Sequence, residues 1–91
     1  MGKMLTVGFD FEDSFYYSII LVKERLGETE YKITVMNRSL ELLLKGNNIM
    51  IEKEGRLNIT LPESNKIKAL KLTIGNALGL LLGLPLQLAS Q

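Results

Sequence analysis

Asp10, Glu12 and Asp13 form the densest group of acids in this chain. Their oxygens are the right donors for a hard cation such as calcium or magnesium. On an extended strand Asp10 and Glu12 would share a face, the arrangement a pair of carboxylates needs for acid–base work. Neither chemistry is completed by the neighbours. The glycine and the ligand spacing of a calcium loop are missing, and no nearby residues supply a nucleophile or oxyanion donors. A solvated turn whose acids discourage edge pairing accounts for all three. No catalytic, metal-ligating or cofactor-binding residue is assigned, and no cofactor is expected. The one basic cluster is Lys66, Lys68 and Lys71, with Arg56 possible beside it. On a helix Lys68 and Lys71 lie about 60° apart near an N-terminus that is itself partly positive. Such a group suits a small anionic ligand or an acidic partner. It serves equally as a solvated rim on a leucine-rich helix.

Missing residue types narrow the chemistry further. The chain has no His, Cys or Trp, which removes imidazole bases, thiol chemistry and the usual zinc ligands. Eleven bases against ten acids give a net charge of +1, which points to no particular charged partner such as nucleic acid. Tyr16, Tyr17 and Tyr31 match no RNA-binding spacing. Val7-Gly8-Phe9-Asp10-Phe11, with Asp13-Ser14 after it, superficially resembles the first phosphate loop of the actin and sugar-kinase ATPases over that short stretch. That family places a glycine just after the aromatic residue and needs two domains. Here Glu12 stands at that position and the chain has 91 residues, so the resemblance implies no nucleotide site.

The length sets one domain, residues 1–91, with one modest core. Met4 to Phe11 alternates as a strand, with Leu5, Val7, Phe9 and Phe11 on one face. Phe15 to Arg25 is rich in β-branched and aromatic residues and reads as a second strand. Glu30 to Asn37 follows as a third, with Tyr31, Ile33 and Val35 together. Leu40 to Lys45 fits either a strand or one helical turn. Ile49 to Glu54 and Leu57 to Leu61 flank Gly55-Arg56 as a hairpin, with Ile49 and Ile51 expected opposite Leu57, Ile59 and Leu61.

After Lys71 the chain carries no charge at all, and two periods compete in the stretch from Asn65 to Gln91. At helical spacing Ile67, Leu70, Ile74, Ala77, Leu78, Leu81 and Leu84 form a stripe, with Gly75, Gly79 and Gly83 opposite. At strand spacing Leu78, Leu80, Leu82, Leu84, Leu86 and Leu88 alternate with smaller residues. Leucine and alanine without β-branching favour the helix. Thr60-Leu61-Pro62-Glu63 has capping-box spacing for its start, and Gly83-Leu84-Pro85 is a stop. The expected fold is therefore α+β, an antiparallel meander of about five or six strands with one long C-terminal helix on the sheet. An all-β barrel or sandwich is the alternative. Leu72, Gly75, Gly79 and Gly83 would present a shallow groove in which a second copy's helix could pack closely.

These features point to a small non-catalytic binding protein that acts stoichiometrically as a homo-oligomer, sequestering a small ligand or holding a protein partner. An interaction subunit docking through the uncharged segment Leu84 to Gln91 is the alternative, and a small carboxylate-dependent enzyme comes third. Asn76, Pro85 and Gln87 interrupt the uncharged stretch, so membrane insertion is not expected and a cytoplasmic location is.

Overall fold

The computed structural model describes residues 2–90. It contains six strands and two helices: β1 (Lys3–Phe11), β2 (Ser14–Arg25), β3 (Glu28–Val35), α1 (Arg38–Leu44), β4 (Ile49–Lys53), β5 (Arg56–Leu61), α2 (Asn65–Leu82) and β6 (Leu86–Ser90). The sheet order follows the chain, β1-β2-β3-β4-β5-β6. The first five strands are antiparallel neighbours, and β6 adds to β5 in parallel. This is the α+β architecture expected, with an open sheet rather than the alternative barrel. No helix among the described residues is long and apolar enough to cross a membrane.

Tight turns set the meander. Phe11 pairs with Ser14, Arg25 with Glu28, and Lys53 with Arg56, each across a two-residue loop. Gly27 and Gly55 supply left-handed φ values of 81° and 75° in two of these turns. The first turn has no glycine: Glu12 and Asp13 adopt φ of 49° and 67°. Two consecutive left-handed residues match the strand twist in a hairpin, but side chains make that conformation unfavourable.

The ambiguous segment after β3 is helical. Asn37 accepts the Leu40 N–H at 3.0 Å, and Glu41 reaches back to accept the Val35 N–H at 2.8 Å. These bonds satisfy backbone donors at the junction, and Leu40 and Leu44 turn into the core.

Helix α2 holds the sheet's concave face. It touches β1 on one side and β5 and β6 on the other, so the sheet curls around it. Lys66 near its start approaches Glu12 to 3.8 Å, and Leu82 at its end shares a recess with Lys3 and Leu5. The helix therefore runs antiparallel along β1. Its end is as expected: Gly83 is left-handed and donates its N–H to the Gly79 carbonyl. Its start is not. Ser64 occupies the N-cap without a side-chain bond, because Thr60 and Leu61 are drawn into the ladder with Ala89 and Ser90.

Two face assignments also change. The buried stripe of α2 is Leu70, Lys71, Ile74, Gly75, Leu78 and Gly79, leaving Leu80 and Leu81 exposed. The glycines thus lie against the sheet, where a bulkier stripe would hold the helix away. A Cβ on Gly75 would overlap the Ile59 side chain, and one on Gly79 would meet the Leu84 carbonyl and Leu86 near 3 Å. In β4 the inward residues are Met50 and Glu52, not Ile49 and Ile51. Lys53 opposite Arg56 places Glu52 opposite Leu57 and Ile51 opposite Asn58, and the buried Leu57 fixes which of these rows faces inward.

Candidate functional site

The two ends of the curled sheet are treated differently. Beyond Val35, α1 closes one end with Leu40 and Leu44. Among the described residues nothing equivalent covers the other end, where β1 begins, β2 gives way to β3 and β4 to β5. There Lys3, Leu5, Val22, Glu24, Thr29, Tyr31, Glu52 and Leu82 line a recess of about 220 Å³.

Cross-strand register builds this recess. Lys3, Val22, Tyr31 and Met50 form one inward row, and Glu24, Thr29 and Glu52 the next. Directly opposed residues sit about 5 Å apart at Cβ, so Thr29 separates the two carboxylates and Tyr31 lies one row deeper. Tyr31 is buried, and its hydroxyl donates to Glu52 Oε1 at 2.5 Å. Burial first, then that hydrogen bond and the negative charges of Glu52 and Glu24, push the phenol well above its ordinary pKa. It remains a neutral donor throughout the physiological range. The C-terminus of α2 at Leu82 adds its carbonyl dipoles to the wall. Lys3 contributes one compensating positive charge. The resulting chemistry is a small recess with a hydroxyl, two carboxylates and apolar sides formed by Leu5, Val22 and Leu82.

The basic residues expected to act together are separated. Arg56 starts β5 and donates to Gln87 at 2.7 Å, whereas Lys66 and Lys68 lie past the far end of that strand, about 17 Å along it. Lys71 is 3 % exposed and donates to the Thr60 carbonyl at 2.6 Å. Desolvation lowers its pKa. It is a core lysine, and only Lys66 and Lys68 remain at the helix start. Of the four residues expected to form an intermolecular groove, Gly75 and Gly79 are filled by the chain's own strands, Gly83 is the helix cap, and Leu72 is half-buried. Asp10 lies exposed on the convex face, and Glu12 and Asp13 form the strained turn. Among the described residues, no three acids gather as a metal site.

Glu24 and Glu52 were not singled out by type or spacing. For Glu52 the signal was the hairpin: the turn falls at Glu54-Gly55, one residue before the expected Gly55-Arg56, and so puts Glu52 on the face of Leu57. Comparison with family models, curated proteins and solved structures gave no match, so geometry alone carries the functional reading.

Proposed function

We propose that this is a non-catalytic, cytoplasmic binding protein that holds a small ligand stoichiometrically in the open end of its curled sheet, and that it works as a homo-oligomer. The observation that carries the ligand reading is the buried Tyr31 hydroxyl on Glu52, facing a recess that the opposite end of the same sheet fills with leucine. Polar groups are placed at depth there although an apolar plug would serve stability better. Two carboxylates and a helix C-terminus against one lysine favour a ligand with a single cationic group on a short apolar body.

Thermal-shift measurements with butylamine, 1,4-diaminobutane, butanol and butyrate test the ligand reading. The amines should raise the melting temperature, since a ligand that binds only the folded state stabilises it by mass action. Glu52→Gln should abolish the shift. No shift with any probe, together with no extra mass in native mass spectra of freshly purified protein, would remove this reading. Self-association is supported by the exposed leucines of the uncharged C-terminal region, Leu80, Leu81 and Leu88, and a dilution series in native mass spectrometry tests it.

A further inference from the structure

Among the described residues the sheet ends in two strand edges, β1 and β6, each hydrogen-bonded to a strand on one side. In β6 the direction of every backbone group follows from one bond. The Leu57 N–H donates to the Pro85 carbonyl at 2.9 Å, and Leu57 lies opposite Leu86. In a parallel ladder this makes Pro85, Gln87 and Ala89 turn their backbone groups toward β5. Leu86, Leu88 and Ser90 then turn theirs outward, where no strand among the described residues receives them.

We propose that this outward row pairs with the same row of a second copy, antiparallel across a two-fold axis, joining the two six-stranded sheets edge to edge. The inference rests on the self-association proposed above and names its surface. A two-fold contact sets this segment against its own copy, so a net charge on it would be repelled by the same charge on its partner. From Leu72 to Gln91 there is none. The side chains agree. Leu88 lies opposite the buried Ile59 on the helix side of the sheet, yet it is 46 % exposed. Leu80 on α2 is 86 % exposed and borders a recess of about 300 Å³ with Gly83, Leu84 and Leu86 at the start of β6. A copy's β6 laid along the edge brings its own leucines over these.

The β1 edge carries what natural edges use to prevent pairing. Lys3 and Asp10 lie within the strand, and Glu12 and Asp13 follow it. A register centred on Leu88 pairs Leu88 with its equivalent and Leu86 with Ser90, engaging all three outward residues of β6.

Leu88→Pro removes one outward N–H while leaving the β5 ladder intact, and proline is tolerated at such edge positions. Leu88→Ala keeps that N–H and removes only side-chain contact. Sedimentation over a dilution series should show a wild-type dimer, a Leu88→Pro dissociation constant raised at least tenfold with unchanged circular dichroism, and a smaller rise for Leu88→Ala. A folded Leu88→Pro protein that dimerises like wild type overturns the edge pairing but not self-association. A wild-type monomer at every concentration overturns both. Should Leu88→Pro not fold, amide exchange in the wild-type protein decides. The Leu86 and Leu88 amides should be protected in concentrated samples and lose protection on dilution. Concentration-independent exchange there, or new protection in β1 instead, overturns the proposal.

Discussion

The two ends of the curled sheet receive opposite treatment from the same strands. At one end α1 folds in, its Asn37 cap and Glu41 bond satisfy the backbone, and Leu44 is fully buried. At the other, the strand rows continue past the end of α2 and finish in Glu24, Thr29 and Glu52 around Tyr31. Apolar closure contributes most where it is complete, whereas buried polar groups hold position only through their partners. The difference teaches that one end is sealed by apolar burial while the other keeps paired polar groups at its mouth. Even the turns differ. Each open-end hairpin has a glycine at a left-handed position, with Glu54 at φ 56° beside Gly55. Beside the closed end Glu12 and Asp13 are both left-handed with no glycine.

The comparison is broken most forcefully by Leu44→Ala. Emptying a fully buried position should remove about 3 kcal/mol of stability in urea unfolding. Leu82→Ala, on the half-buried wall of the recess, should remove about 1 kcal/mol. Equal losses at the two positions would contradict the contrast. Next in size is the double change Glu12→Asn with Asp13→Gly. It substitutes the residues favoured in a left-handed two-residue turn and should raise stability by about 1–2 kcal/mol. The Glu12–Lys66 pair that it removes is long and exposed, so its loss should be small beside this gain.

Tyr31→Phe should cost about 1 kcal/mol, because Glu52 loses its hydroxyl donor. It also isolates a pH response. Tyr31 has a raised pKa in the folded protein, so its contribution is fully present below the ordinary tyrosine value and falls as pH rises above about 10. Lys71, toward the closed end, has the opposite sign. Its folded pKa is lowered, so the unfolded chain binds the proton more tightly and stability recovers as pH climbs toward the ordinary lysine value. Urea unfolding of Tyr31→Phe and Lys71→Met from pH 7 to 11 separates the two. Tyr31→Phe should flatten the alkaline loss, and Lys71→Met should be more stable than wild type at pH 7, with a gain that shrinks toward high pH.

Much of the architecture was legible in the residues. Alternation marked the first three strands, the β4–β5 hairpin was marked with its turn one residue too late, and Gly83 before Leu84-Pro85 ended α2 at the expected place. These features are local, set by backbone preference and by a period that a short segment expresses alone. The helix face was not legible, because Leu70, Ile74 and Leu78 belong to two overlapping stripes. The choice between leucine and glycine neighbours depends on how closely β5 and β6 approach. β6 itself was hidden, since its strand pattern continues that of the helix and it gains a ladder only when α2 returns the chain beside β5. Of the expected site residues, Lys71 could not be known as a core group without the carbonyl of Thr60 beneath it.

The sequence by itself determined the chemistry within reach, with no imidazole or thiol, an uncharged C-terminal segment, and a meander ending in a helix. Tertiary structure decided that Gly75 and Gly79 face inward, that Arg56 stands apart from Lys66 and Lys68, and that Tyr31, Glu24 and Glu52 meet at the open end. Composition and local period are properties of a segment. Which rows face each other across a curled sheet depends on register and packing between segments distant in the chain.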